Sequence, residues 1–387
     1  MEAQTQFYRD TWVEIDLDCL TENIQNIKRH IASDEVKMFA VVKANAYGHG
    51  DVPVARAALE AGVHGLAVAF LDEAISLRKG GIEAPILVLG ASRAEDVKLA
   101  SDFDIALTNF SLEWLEEAAE ELDEEAGLKV HIKCDTGMGR LGVRSVEELK
   151  EMETFIRSGR KFQLDGIYTH FATADELDDT YLEAQLGRFE EMVSVLNERP
   201  PYIHSSNSAA TLRKSKTHFT AVRVGIAMYG LTPSEEMKSV LPFQLKEVFS
   251  LYSRLVHTKE QQAGDKISYG STYETKEKEW IGTVPIGYAD GWLRKLQGQE
   301  VIVAGERVPI VGRICMDQCM ISLPGPMKSG ERVTLIGKDG HEKVSIDEIA
   351  EKLETINYEI PCIISPRVPR IYIKNGKTIG VSNRLLS

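Results

Sequence analysis

The sequence predicts a (β/α)8 TIM barrel followed by a mainly β second domain, and three observations lead there. Strand-like and helix-like stretches alternate through the first two-thirds of the chain. Eight short apolar strands fall within that alternation, the number that closes a barrel. Beyond Pro242 the pattern changes to short β-branched segments bounded by Gly, Pro and Asp turns. A doubly wound parallel sheet gives the same local alternation, so the strand count is what favours the barrel.

An opening strand is expected near Trp12–Leu17, followed by a helix on which Leu20, Ile24, Ile27 and Ile31 recur at helical spacing. The barrel strands then follow at Val36–Val42, Gly65–Ala69, Pro85–Leu89, Phe103–Leu107, Leu128–Lys133, Phe162–Tyr168, Tyr202–His204 and Ala221–Val224. The acidic stretch Glu113–Glu125 between two of them reads as a solvated helix face. In the second domain, strands are expected at Phe249–Thr258, Trp280–Ile286, Glu300–Val303, Arg307–Ile314, Met320–Leu323, Arg332–Ile336 and Arg370–Ile373. One helix there is opened by Ser345-Ile-Asp-Glu348, which has the form of a capping box. The boundary is placed so that residues 1–244 form the barrel and 245–387 the β domain, with the first strand, residues 8–17, a candidate to pack on the second domain.

The chain has 387 residues, 43% of them hydrophobic and 27% charged, which excludes collagen-like, low-complexity and largely disordered classes. Its 45 basic and 59 acidic side chains give a net charge of −14. That field repels phosphate backbones and anionic lipid, so neither nucleic acid nor a membrane surface is an expected partner. Five scattered cysteines form no disulfide framework and point to a reducing compartment. Cys315 and Cys319 have no second ligand pair for zinc, and no metal is expected. The polar N-terminus is no signal peptide, and no apolar run is long enough for a membrane span, so a cytoplasmic protein is expected.

In a barrel, reactive groups gather where the strands end at their C-terminal edge. Lys43, followed by small residues and two glycines, lies at one such end. Lys133 and Arg140 follow another strand, His170 the next, Asn207 and Ser208 the seventh, and Arg223 precedes Gly225 and Ile226 at the eighth. Taken singly, a terminal lysine is ordinarily an exposed charge, an Asn-Ser pair ordinarily caps a helix, and a buried histidine is ordinarily structural. Together they offer a lysine that can form a Schiff base and a backbone seat for a phosphate. Pyridoxal 5′-phosphate carries both matching handles.

The run Ala40-Val-Val-Lys-Ala-Asn-Ala-Tyr-Gly-His-Gly50 resembles the cofactor-attachment signature of the alanine racemase family, which depends on pyridoxal phosphate and joins a barrel to a β domain. Further matches are Lys133-Cys-Asp-Thr-Gly-Met-Gly-Arg-Leu-Gly142, Thr169-His-Phe-Ala172, Ser206-Asn-Ser-Ala209 and Arg223-Val-Gly-Ile-Ala-Met-Tyr-Gly230. The second domain adds Ser268-Tyr-Gly270, Pro285-Ile-Gly-Tyr-Ala-Asp-Gly291, Gly312-Arg-Ile-Cys-Met-Asp-Gln318 and Glu354-Thr-Ile-Asn-Tyr358. These matches run in order along nearly the whole chain.

The resemblance implies that Lys43 attaches the cofactor, with Tyr47, Asn207, Ser208, Gly225, Ile226 and Tyr358 around its phosphate. Arg140 would meet the phenolate oxygen and the substrate carboxylate, and Arg223 the pyridine nitrogen. Met316 would offer its backbone to that carboxylate, flanked by Cys315 and Asp317. Racemisation needs one base on each face of Cα. The resemblance assigns these to Lys43 and to Tyr269, the latter reaching the site of the other subunit of a homodimer and assisted by His170. Asp175, Tyr269, Arg313 and Tyr358 would form an access corridor that admits alanine and excludes larger amino acids. Lys133 matches a position carbamylated in some relatives. A broad-specificity racemase, a decarboxylase of the same architecture and a cofactor-carrying regulatory barrel are the rival readings.

Overall fold

Eight parallel strands close into a barrel in the order of the sequence: β2 (Lys37–Val41), β3 (Gly65–Val68), β4 (Ile86–Val88), β5 (Ala106–Asn109), β6 (Leu128–Lys133), β7 (Phe162–Tyr168), β8 (Tyr202–His204) and β9 (Ala221–Val224). Closure comes from β9 pairing back onto β2, with Phe39 opposite Arg223. A preceding strand, β1 (Thr11–Asp16), lies outside the barrel. The computed structural model describes residues 7–386. These divide into a barrel unit, Leu20–Ala46 with Asp51–Lys246, and a β unit made of the segment through Cys19, Tyr47–Gly50 and the chain from Glu247 onward.

The barrel strands are largely apolar on both faces because helices cover the outside and packed side chains fill the inside. Ala40, Leu66, Ala67, Val88, Leu107, Val130, Ile132 and Ile167 are all fully buried. The helix Leu17–Ile31 buries Leu20, Ile24 and Ile27 completely, as the spacing of its apolar residues requires. Side-chain caps at Ser111, Ser145 and Asn207 start three further helices by accepting from Trp114, Glu148 and Ala210 N–H groups at 3.0–3.1 Å. The strand expected at Phe103–Leu107 starts later, at Ala106. Phe103 and Asp104 instead end the helix Val97–Asp102, with Asp104 turning the chain at φ +49°.

In the β unit an eleven-stranded sheet contains β1 together with β10 (Phe249–Arg254), β11 (His257–Gln261), β14 (Glu279–Val284), β15 (Glu300–Val303), β16 (Glu306–Val311), β17 (Cys319–Leu323), β18 (Arg332–Asp339), β19 (Glu342–Val344), β20 (Arg370–Lys374) and β21 (Lys377–Ser382). The short strands β12 (Lys266–Ile267) and β13 (Tyr273–Glu274) form a separate pair. β1 runs antiparallel to β10 and parallel to β20. The single strand expected over Phe249–Thr258 is broken at Leu255–Val256, because β10 pairs with β1 and β18 whereas β11 pairs with β14. Ser345 caps the helix Ile346–Leu353 from its hydroxyl at 3.1 Å, while the Glu348 carboxylate accepts from Arg307 and Gln299. A fully buried carboxylate, Asp290, accepts from both terminal nitrogens of Arg9 at 2.7 and 2.6 Å and from Gly287 N–H at 3.0 Å. These bonds replace the water that the charge gives up.

Candidate active site

Lys43 follows β2 at the C-terminal edge of the barrel, and the chain behind it takes an unusual path. Ala44, Asn45, Ala46 and Tyr47 hold φ values of 54°, 55°, 53° and 52°, one left-handed turn made without glycine. Such a conformation costs roughly 1–2 kcal/mol per residue, and it persists only where neighbouring bonds fix it. Ala46 N–H donates to Val42 O at 2.8 Å, Asp51 N–H to Asn45 Oδ1 at 3.1 Å, and Ala44 N–H to Glu73 Oε1 at 2.6 Å.

Across the mouth, Arg223 of β9 is almost completely buried. Its Nη1 donates to His204 Nδ1 at 2.7 Å and to His204 O at 3.1 Å, and its Nη2 donates to Thr169 O at 2.8 Å and Ser205 O at 3.2 Å. A longer contact of 3.5 Å joins Nη2 to His170 Nδ1. Because arginine only donates, both histidines accept at Nδ1 and a neutral ring carries its proton on Nε2. His204 then donates to His131 Nδ1 at 2.9 Å, and His131 to Asp165 Oδ2 at 3.3 Å. Burial, followed by the charge of Arg223, holds both His204 and His170 well below the ordinary histidine value. Burial also lowers Arg223 to about 10, so it remains a cation at neutral pH.

The charges that act on His170 besides burial are Arg223, Arg140, Lys133 and Lys43, all cations. Thus an acidic protein presents a positive mouth. Lys133 is buried beneath it, donates to Cys134 O at 2.7 Å, and is lowered to about 8 by burial. Its Nζ lies 5.3 Å from the centre of the Tyr168 ring, and the Arg223 guanidinium lies 5.1 Å from the same ring. Ser208 Oγ accepts from Gly225 N–H at 2.9 Å and from Ala227 N–H at 3.4 Å, which leaves its own proton to donate. Asn207 is occupied as the cap of Ala210. Asp175 accepts from Ser234 through its backbone carbonyl at 2.6 Å.

Pyridoxal phosphate can be tested against these donors. Arg223 Nε, the exposed Arg140 guanidinium and the buried Ile226 N–H donate to no acceptor among the described residues. Donors left over at a cationic mouth suit a ligand that carries a ring nitrogen, an oxyanion and a phosphate, so the residues fit the group.

The remaining candidates lie in the β unit. Tyr47 and Tyr358 pack with ring centres 6.2 Å apart, and burial pushes the Tyr47 phenol well above its usual range. Tyr269 is 71% exposed and stands on a strained turn, with Ser268 at φ +66°. Ser268 Oγ donates to Arg313 O at 2.5 Å, and a Cβ on Gly270 would lie 2.9 Å from the Arg313 guanidinium. The Cys315–Asp317 loop is held by Tyr288 N–H on Cys315 O and Ala289 N–H on Met316 O, each at 3.0 Å, and by Arg367 on Asp317 at 2.7 Å. Met316 itself is 53% exposed. Tyr269, Arg313, Cys315, Met316 and Asp317 therefore form one cluster of linked turns.

Sequence reasoning missed the chain from Arg223 to Asp165, the ring of Tyr168 stacked 4.8 Å over His204, and Glu73. No sequence signal singled out the first, because the strands of His131 and Asp165 carry other polar residues as well, Lys129, Lys133 and Gln163. Gly166 makes room for this chain, since a Cβ there would lie 2.3 Å from the His131 ring.

The family profile described as the alanine racemase N-terminal domain matches residues 15–233, and the C-terminal domain profile matches residues 248–372. An alanine racemase of Geobacillus kaustophilus is 57% identical over 378 residues, 98% of each chain. Alanine racemase 1 of Bacillus subtilis is 52% identical over 380 residues, covering 98% of this chain and 97% of the relative. The crystal structure of alanine racemase from Bacillus anthracis with bound L-Ala-P superposes with a TM-score of 0.95 at 52% identity, covering 98% and 99% of the two chains. A histidine racemase from Leuconostoc mesenteroides shares the fold with a TM-score of 0.91 at 30% identity, covering 96% and 100%. The chain belongs to the alanine racemase family.

Proposed function

We propose that the protein is an alanine racemase that interconverts L- and D-alanine with pyridoxal phosphate, acts as a cytoplasmic homodimer and supplies D-alanine for peptidoglycan. The observation that carries this reading is the convergence of Lys43, Lys133, Arg140 and Arg223 on a neutral His170 at the barrel mouth. No helix among the described residues is long and apolar enough to cross a membrane.

Lys43 would hold the cofactor covalently, with Ser208, Gly225, Ile226, Tyr47 and Tyr358 at its phosphate and Arg223 at its ring nitrogen. When bound, pyridoxal phosphate supplies the electron sink that makes the α-proton of alanine acidic. Arg140 and the Met316 backbone bind and orient the substrate carboxylate, between Cys315 and Asp317. Lys43 Nζ takes or returns the α-proton on one face, and the Tyr269 phenolic oxygen of a second copy does so on the other. His170, fixed with its proton on Nε2 by Arg223, donates toward that tyrosine and favours its anionic form. Arg223 keeps its own proton, so it would bind the ring nitrogen without protonating it and so restrain competing proton transfer to the cofactor.

Asp175, Arg313, Tyr269 and Tyr358 narrow the approach to this centre. A broader amino-acid racemase is the second reading, since a histidine racemase shares the fold at 30% identity. Purified protein should take up pyridoxal phosphate, turn yellow, and after borohydride reduction carry the label at Lys43. A protein that takes up none is no racemase of this kind.

A further inference from the structure

We propose that Glu73 is a positioning residue for Lys43, whose carboxylate grips the Ala44 N–H and so fixes the peptide plane from which the lysine projects. This rests on the reading of Lys43 as the cofactor-bearing base.

Glu73 is the third residue of the helix Leu71–Lys79. Its Oε2 accepts from Ala69 N–H at 2.7 Å and from Phe70 N–H at 3.3 Å, the ordinary work of a carboxylate that caps a helix start. Its Oε1 does something that capping does not require. It accepts from Ala44 N–H at 2.6 Å, 29 positions earlier in the chain. One half-buried carboxylate therefore joins the end of β3 to the residue directly after Lys43.

The location explains why such a bond is needed. Ala44 begins the left-handed turn of four L-residues, and the barrel unit otherwise ties that turn through Ala46 to Val42 and through Asn45 to Asp51. The first of those tethers spans Lys43 and Ala44 without touching the peptide between them, and the second lies beyond it. The Glu73 bond grips the N–H of the peptide plane between Lys43 and Ala44 directly, and rotation of that plane would swing the lysine side chain. Water could satisfy the Ala44 amide equally well but would not fix its direction. Misplacing a reacting group by about 1 Å can cost ~100-fold in rate, so the effect expected is one of aim rather than stability.

The chemistry supplies discriminating variants. Glu73→Gln offers one acceptor and one donor group, so it cannot serve both the Ala44 amide and the Ala69–Phe70 pair. Glu73→Asp keeps the negative charge at the helix start but is one methylene too short to span both. Ala44→Gly removes the Cβ cost of the left-handed conformation and lessens the need for a clamp.

The test uses the full-length protein, first without cofactor. Exchange of the Ala44 amide should accelerate about tenfold in Glu73→Gln and Glu73→Asp, with the melting temperature nearly unchanged. Covalent capture of pyridoxal phosphate at Lys43 should slow, and kcat for alanine should fall by roughly 10- to 100-fold with KM within about twofold. Ala44→Gly added to Glu73→Gln should recover part of that loss, a coupling that a mere helix cap would not produce. Unchanged Ala44 exchange and unchanged capture in both variants would overturn the proposal and leave Glu73 a helix cap. If the native protein captures no pyridoxal phosphate, the racemase reading fails, while the exchange measurement still decides whether Glu73 clamps Ala44.

Discussion

Arg223 donates to His204 Nδ1 across 2.7 Å inside the barrel, and this bond sets the proton on every ring beyond it. His204→Leu would leave His131 Nδ1 without its donor and Arg223 Nη1 with only a carbonyl. Urea denaturation should show a loss of about 2–4 kcal/mol. The native protein should also lose stability as pH falls below the ordinary histidine value of 6.5, because His204 and His170 stay neutral when folded and take protons on unfolding. The unfolded state then binds more protons, so acid favours it. The slope should be shallower in His204→Leu, and an unchanged slope would contradict the neutral assignment.

Lys133, lowered to about 8 by burial, has a substantial neutral fraction near that pH. A neutral amine can add carbon dioxide to form a carbamate with release of one proton. In bicarbonate labelled with carbon-13, a carbamate resonance should grow from pH 6.5 to pH 9 and be absent in Lys133→Ala, at about the pH range set by that lowering. The same lowering implies that Lys133 adds stability with rising pH between about 8 and the ordinary lysine value of 10.5, where only the unfolded chain stays protonated. No resonance at any pH would show that Lys133 acts as a simple amine.

Tyr269→Phe should reduce kcat by about 10²–10⁴-fold while capture of pyridoxal phosphate is retained, because only the proton-carrying oxygen is removed. Mixing Tyr269→Phe with Lys43→Ala subunits should restore activity, since each hybrid dimer would hold one site with both native bases. Recovery of nothing in subunits shown to exchange would contradict the assignment of Tyr269 to a second copy.

Gly287 has φ −149°, which alanine tolerates, yet an added Cβ would lie 2.3 Å from both the Cys315 and Met316 carbonyl oxygens. Gly287→Ala should therefore displace the Met316 loop. KM for alanine should rise about tenfold, the equivalent of one lost hydrogen bond, with cofactor capture unaffected. An unchanged KM would remove Met316 from substrate binding.

The barrel was legible because its strands are short, apolar and bounded by turns; Leu128–Lys133, Phe162–Tyr168, Tyr202–His204 and Ala221–Val224 were read with their observed limits. Phe103 misled because it is apolar beside a strand yet belongs to a helix exit. In the β unit, Lys377–Ser382 is an edge strand whose side chains are largely exposed, and Glu342–Val344 is three residues long with two of them charged, so neither carries enough apolar alternation to be seen. Candidate residues such as Lys43, Arg140 and Arg223 were legible through their motifs. Glu73 was not, because its bond to Ala44 joins segments 29 positions apart and only the fold brings them together. The Asp165–His131–His204 chain was hidden for the same reason: each member is ordinary alone.

L-Alanine supplied to the holoenzyme in heavy water, with Cα followed by proton NMR and the enantiomers by chiral separation, decides between racemisation and its rivals. D-Alanine carrying deuterium at Cα should form, with lysine and histidine turned over far more slowly. Carbon dioxide release, an unlabelled product, or equal turnover of alanine and lysine would contradict the reading as an alanine racemase.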